Sequence, residues 1–209
     1  MKTCVIFCAA EFDEPAQPIG QKDLIIAADG GLKHTELLNI VPDVILGDFD
    51  SLGYIPDSAA VFPVEKDDTD SMLSAKLGLE RGFHRFVIYG GMDGQRLDHT
   101  VANFQMLQYL AERDAEAYLV GKQYIATVLK DGHLTFDTEA EGIVSVFCVG
   151  ADASGVSIEG LKYNLEDETL TSGYPLGVSN HFVGQKAKIS VKDGCLLILW
   201  DRKNGFPER

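Results

Sequence analysis

The stretch VILGDFDSL, residues 44–52, decides how the rest of the chain is read. Val44, Ile45 and Leu46 are strand formers, and Gly47 breaks the run. Asp48 and Asp50 follow on either side of Phe49, and Ser51 closes the turn. A strand that is apolar on both faces is one covered on both faces, as in a parallel sheet flanked by helices. Two carboxylates at its exit then require something that holds them together.

Working outward, the same kind of strand recurs. The candidates are TCVIFCA (3–9), LIIAA (24–28), DVILG (43–47), AVFPV (60–64), RFVIYG (85–90) and AEAYLV (115–120). Helical stretches separate them. One covers 30–39. A second covers 70–81, with Met72, Leu73, Leu77 and Leu79 as its apolar face. A third covers 98–113, with Val101, Phe104, Leu107 and Ala111 at helical spacing. Alternating strand and helix predicts an α/β domain over residues 1–121, a mostly parallel sheet with flanking helices. From 122 to 209 the helical periodicity stops. Short strands with turn residues take over, and the expectation there is a β-sandwich. KDGH (130–133) and KDGC (192–195) contain Asp-Gly, the pairing that favours hairpin turns. No low-complexity linker joins the two parts.

Composition narrows the classes. A hydrophobic share of 45% and a charged share of 24% are those of an ordinary globular protein. The net charge of −14 repels a long polyanion, so nucleic acid is not an expected partner. No apolar run approaches the roughly 20 residues that span a bilayer, so a membrane role is not expected either. The N-terminal MKTCVIFCAAEFDE turns acidic too early for an export signal and reads as a first strand. Cys4, Cys8, Cys148 and Cys195 form no CxxC pair and sit among apolar neighbours. Free thiols and a cytoplasmic location follow as expectations.

In a doubly wound sheet, ligands bind beyond the carboxyl ends of the strands. Here those ends carry the unusual residues. Asp29-Gly30-Gly31 follows the second strand, and Asp48-Phe49-Asp50-Ser51 the third. Asp67-Asp68-Thr69-Asp70 follows the fourth, and Gly90-Gly91-Met92-Asp93-Gly94-Gln95-Arg96-Leu97-Asp98-His99 the fifth. Singly, each has a structural reading as a turn or a helix cap. Together, carboxylates on one sheet edge would repel unless a cation joined them. Mg²⁺ suits such a set, because it prefers carboxylate oxygen and is usually shared with substrate phosphates. Asp48 and Asp50 are therefore the expected metal ligands, with an acid from Asp67, Asp68 and Asp70 completing the site. Gly90, Gly91 and Gly94 would let backbone N–H groups approach a phosphate. Arg96 offers a planar fork for one. His99 and Asn103, four apart, share a helix face distinct from that of Val101 and Phe104 and free to look into the cleft. Neither GxxxxGK[ST] nor a GxGxxG after the first strand is present, so neither familiar phosphate loop is in use.

The ordered blocks AADGG (27–31), PDVILGDFDSL (42–52), EKDDTDSMLSAK (65–76), YGGMDGQRLDHTVAN (89–103) and GLKYNLEDETLTSGYPLGVSN (160–180) resemble those of the thiamine pyrophosphokinases. The resemblance spans nearly the whole chain. It implies a nucleotide-binding catalytic domain followed by a thiamine-binding β-sandwich. It implies a homodimer with thiamine bound between subunits, and Mg²⁺-dependent transfer of pyrophosphate from ATP to the thiamine hydroxyl, giving thiamine diphosphate and AMP. Carried over, Asp48, Asp50 and Asp70 organise metal and phosphate, with Asp67 or Asp68 as a fourth acid. Asp29 with its neighbour Gly30, together with Arg96, Asp98, His99 and Asn103, falls on the ATP side. Asp70 or Asp98 is the expected proton acceptor. Ser179 and Asn180 fall on the thiamine side. Trp200 either stacks on the cationic thiazolium or is a core residue.

Two other readings use the same residues. Asp-x-Asp also serves haloacid-type phosphatases and nucleotide-sugar glycosyltransferases, but a phosphatase would carry the pair after its first strand. A glycosyltransferase would not need the blocks at 67–70 and 90–99. A non-catalytic vitamin- or nucleotide-binding protein on the same fold would not need to keep every acid.

Overall fold

The structure, a computed structural model, describes residues 2–47, 49, 60–61 and 68–209. Asp48, Asp50 and Asp67 lie outside the described residues, as does the stretch 62–64 of the fourth strand candidate. The chain divides into two compact units, Met1–Lys122 and Gln123–Arg209.

The first unit is built on parallel strands β1 (Cys4–Phe7), β2 (Leu24–Ala28), β3 (Val44–Gly47), β4 (Ala60–Val61), β5 (Arg85–Tyr89) and β6 (Glu116–Val120). They lie side by side in the order β6-β5-β1-β2-β3-β4. Cys4 is in register with Leu24 on one side and with Phe86 on the other. Every residue of β1 is buried, as expected of a central strand covered on both faces. Strand order reverses between β1 and β5, so the chain leaves the sheet in opposite directions there and a crevice opens beyond the strand ends.

Helices α1 (Leu32–Leu37), α2 (Asp70–Glu80) and α3 (Leu97–Ala111) stand where helical spacing places them. Their inward faces differ from those expected. The inner face of α2 is Ser71, Ser74, Ala75 and Gly78, not Met72, Leu73, Leu77 and Leu79. Small residues let the helix lie close to the sheet: a Cβ on Gly78 would stand 2.5 Å from the Phe86 ring and 2.9 Å from Cys4 Sγ. On α3 the buried residues are Asn103, Met106, Leu107, Leu110 and Ala111, while Val101 is exposed. The face bearing Asn103 is thus the packed one, and Val101 points away from it.

In the second unit, β7 (Tyr124–Phe136), β8 (Ile143–Glu159), β9 (Leu165–Leu170), β10 (Gly177–His181) and β11 (Ala187–Asp201) are all antiparallel. The order is β10-β8-β11-β7, with β9 also paired to β8. The two Asp-Gly pairs do not make hairpins. They lie within β7 and β11, where the pairing runs on through Val191↔Gly132 and resumes at Cys195↔Lys130. Asp131 takes a positive φ of 43°, and its carboxylate accepts from the Gly194 N–H at 3.1 Å. These are bulges facing each other across one ladder, and bulges bend strands. Trp200 pairs with Ile125 near one end of β7, yet its ring packs edge-on against Phe136 at the other end, with centroids 5.4 Å apart. The bent ladder therefore folds over on itself and encloses its own core, which is how a few long strands make a sandwich.

Candidate active site

A cleft of about 360 Å³ opens beyond the carboxyl ends of β1, β2 and β5, at the reversal of strand order. Four chain segments line it. Cys8–Ala10 leaves β1, and Ala28 and Asp29 end β2. Thr69, Asp70 and Ser71 open α2. Gly90, Gly91, Gly94, Gln95, Arg96, His99, Thr100 and Asn103 run from β5 into α3.

Each segment is held for a local reason. Gly90 has φ 66°, and a Cβ there would lie 2.4 Å from the Ala10 carbonyl and 2.5 Å from that of Cys8, so only glycine turns this corner. The turn is pinned beyond Gly91 by Asp93, whose carboxylate accepts from the Lys122 N–H at 2.7 Å. The Lys122 ammonium reaches Glu11 at 2.5 Å and ties the loop after β1 to the same place. Phe12 stacks on Tyr89 and meets the edge of His34, while His34 Nε2 lies 3.0 Å from the Ala10 carbonyl. Asp29 has a positive φ of 46° at the end of β2, and Gly31 behind it leaves no room for a Cβ, which would meet the Phe7 carbonyl at 1.9 Å. β3 ends against the same place: a Cβ on Gly47 would lie 3.0 Å from Asp29 Cα. Phe49 is 2% exposed and has φ 58°, so the residue between Asp48 and Asp50 is a buried anchor in the left-handed region.

The cleft brings together Asp29, Asp70, Gly90, Gly91, Arg96, His99 and Asn103 from the residues expected on sequence grounds. Gly30 is buried beside Asp29 and does not line it. Asp68 is turned to Lys76, with Oδ2 accepting from Nζ at 2.6 Å. Asp98 is not among the lining residues either. It grips Arg96 in a fork, with Nη2 donating to Oδ2 at 2.7 Å, and the guanidinium holds its carboxyl below the usual range. Its fork on the guanidinium makes Asp98 a support for Arg96.

Sequence reasoning gave no cleft role to Cys8, Ala9 and Ala10, whose apolar run reads as strand, nor to Thr69, Ser71, Gln95 and Thr100. Burial pushes the Cys8 thiol up to about 12, with the Asp70 carboxylate adding to the effect, so it lines the cleft as a neutral group.

Among the described residues, no three acidic, histidine or cysteine side chains converge to hold a metal ion. The donor chemistry present is carboxylate oxygen from Asp29 and Asp70, and it fits a hard, oxygen-seeking cation.

In the second unit, Ser179 is exposed with φ 58° on β10, and its N–H donates to Ser145 Oγ at 3.0 Å. Asn180 is 3% exposed and is used at both ends of its amide. Nδ2 donates to the Tyr163 carbonyl at 2.6 Å, and Oδ1 accepts from the Tyr163 N–H at 3.0 Å. It clamps the 160s turn to β10. Trp200 is 0% exposed, and its Nε1–H donates to the Gly205 carbonyl at 2.8 Å. No ring face is open for stacking, so Trp200 is a core residue of this unit.

Comparison with known proteins gives two family matches in chain order. Residues 16–119 match thiamin pyrophosphokinase, catalytic domain. Residues 133–196 match thiamin pyrophosphokinase, vitamin B1 binding domain. The chain is 27% identical over 185 residues to the thiamine pyrophosphokinase of Bacillus subtilis (strain 168), covering 84% of this chain and 86% of that protein. Solved structures share the fold. The Bacillus subtilis enzyme superposes with a TM-score of 0.83 at 24% identity, over 96% of this chain and 99% of the other. The Geobacillus thermodenitrificans protein gives 0.76 at 24% identity, over 96% and 97%. The yeast enzyme gives 0.73 at 16% identity, over 97% and 87%. A catalytic match on the unit that carries the cleft, followed by a vitamin-binding match on the antiparallel unit, leaves one assignment: the chain belongs to the thiamin pyrophosphokinase family.

Proposed function

We propose that the chain transfers a pyrophosphoryl group from Mg²⁺-ATP to the hydroxyl of thiamine, releasing thiamine diphosphate and AMP. The observation that supports this most is the cleft at the strand-order reversal. There, carboxylates (Asp29, Asp70), a glycine turn (Gly90–Gly91) and a guanidinium (Arg96) face one space. In the proposed reaction the thiamine hydroxyl oxygen attacks the β-phosphorus. The bond from that phosphorus to the α,β-bridging oxygen breaks, and AMP leaves with the oxygen. Charge spreads over the equatorial oxygens during transfer, so catalysis is chiefly positioning and neutralisation.

Each role belongs to a named group. The Gly90–Gly91 backbone lets the phosphates approach closely, and Arg96 neutralises them with its fork steered by Asp98. Asp70 accepts the hydroxyl proton. Asp29 and Asp70, with Asp48, Asp50 and Asp67 from the adjoining stretches of sequence, would hold Mg²⁺. When bound, the cation neutralises phosphate charge and orients the chain of phosphates. Ser179 is the proposed polar contact to thiamine from the second unit, with Asn180 holding the strand that presents it. The proposed working form is a homodimer with thiamine between subunits.

The test is AMP formation on mixing the protein with ATP, Mg²⁺ and thiamine. AMP appearing in step with thiamine diphosphate supports the reading. Inorganic phosphate release, or nucleotide binding without AMP, would replace it with a phosphatase or a non-catalytic binder.

A further inference from the structure

We infer that Asn103 is a positioning residue rather than a nucleotide ligand: through Ser71 and the Gly91 carbonyl it fixes the separation between the Asp70 end of α2 and the Gly90–Gly91 turn. The inference rests on the reading that this cleft takes the nucleotide.

Asn103 is 4% exposed although it lines the cleft. Its Nδ2 donates to the Gly91 carbonyl at 2.6 Å, and its Oδ1 accepts from Ser71 Oγ at 2.6 Å. The amide cannot be reversed, because Oδ1 would then face the Gly91 carbonyl oxygen, acceptor against acceptor. With Oδ1 towards Ser71, the Ser71 hydroxyl must donate. Its oxygen is then free to accept from Thr69 Oγ1, 3.0 Å away. Thr69 Oγ1 in turn accepts from the Met72 N–H at 3.2 Å as the cap of α2. Donation therefore runs one way, from Met72 to Thr69, Ser71, Asn103 and Gly91. Such chains polarise along their length, and breaking one link weakens the rest.

The chain's two ends matter. Asp70 sits between Thr69 and Ser71, both of which are in it, and the Asp70 carbonyl is held as well, accepting from Ser74 Oγ at 2.8 Å. At the other end the Gly91 turn lies directly over the amide: a Cβ on Gly91 would stand 3.2 Å from Asn103 Nδ2 and 2.4 Å from Leu119 Cδ1. Asn103 is thus the link between the acid-bearing helix and the phosphate-facing turn. A shift of one against the other would mis-space the groups that must meet the same phosphates.

Calorimetric binding of α,β-methylene-ATP with Mg²⁺ tests this without turnover. Ser71→Ala should weaken binding about fivefold or more, in the range of coupling between contacting residues, and Ser71→Thr, which keeps the hydroxyl, should restore it. Asn103→Ala should weaken it similarly, and the double variant should bind within about twofold of the weaker single variant, because both break one chain. If Ser71→Ala binds like the unaltered protein, or if the two losses multiply, Asn103 acts directly or not through Ser71, and the inference falls. Ser71→Ala alone decides the matter should Asn103→Ala fail to fold. Failure of the unaltered protein to bind the analogue would instead overturn the nucleotide reading, and the inference with it.

Discussion

Arg96 stands at the start of α3 with its guanidinium forked on Asp98 and its side chain on the cleft. Lysine at this position would keep the charge but lose the planar pair of donors that can meet a carboxylate and a phosphate together. Arg96→Lys is expected to lower kcat/KM for ATP by more than tenfold, about 1.4 kcal/mol or more. Asp98→Asn should cost less, since the guanidinium stays and only its steering weakens. Steady-state kinetics at fixed thiamine measures both, and equal rates for Arg96→Lys and the unaltered protein would remove Arg96 from the phosphate site. At this scale the sequence was legible where a charged residue breaks a pattern: Asp70 and Arg96, both singled out there, stand on the cleft. It was uninformative where a polar side chain serves the backbone. The amides of Asn103 and Asn180 donate to the carbonyls of Gly91 and Tyr163, and nothing in their neighbours' identities announces those contacts.

Among the elements, the parallel strands were legible because a doubly covered strand must be apolar throughout, and β1, β2, β5 and β6 stand within the stretches expected. Helix positions were legible by spacing, but helix faces were not. Hydrophobic residues mark an inner face only where there is room for them. On α2 the room is missing, so Ser71, Ser74, Ala75 and Gly78 go inward and the leucines lie half-buried at the sides. Gly78→Val should therefore destabilise the fold, although valine is the better helix former by a few tenths of a kcal/mol. Crowding against Phe86 and Cys4 should cost about 1–3 kcal/mol. Urea unfolding followed by circular dichroism measures it, and a midpoint at or above that of the unaltered protein would show that the helix can lift off the sheet freely. The Asp-Gly pairs misled for a related reason: the same positive-φ preference serves a hairpin turn and a bulge, and only the pairing partner across the ladder tells them apart.

For the molecule as a whole, the course of stability at alkaline pH follows from two thiols, one on β1 and one just beyond it. Burial raises the Cys4 and Cys8 thiols from an ordinary 9.0 to about 12. Above pH 9 the unfolded chain loses both protons while the native state keeps them, so native stability must fall as pH rises through the window from about 9 to about 12. Each thiol contributes a slope of up to about 1.4 kcal/mol per pH unit there. Urea titrations at pH 8, 9 and 10 should show the decline, and a Cys4→Ala/Cys8→Ala variant should flatten it even if it is less stable at pH 8. An equally steep decline in that variant would assign the effect to other groups. The order of strands in the second unit has a different consequence. β11 lies between β7 and β8 and pairs with both along most of its length, yet it follows every other strand in sequence. During synthesis, β7 and β8 therefore emerge with their inner edges unpaired and wait for a strand not yet made. Exposed edges of that length recruit other chains. A chain stopped after Lys186 should aggregate on expression, whereas supplying residues 187–201 as a separate peptide should recover part of the material in the soluble fraction.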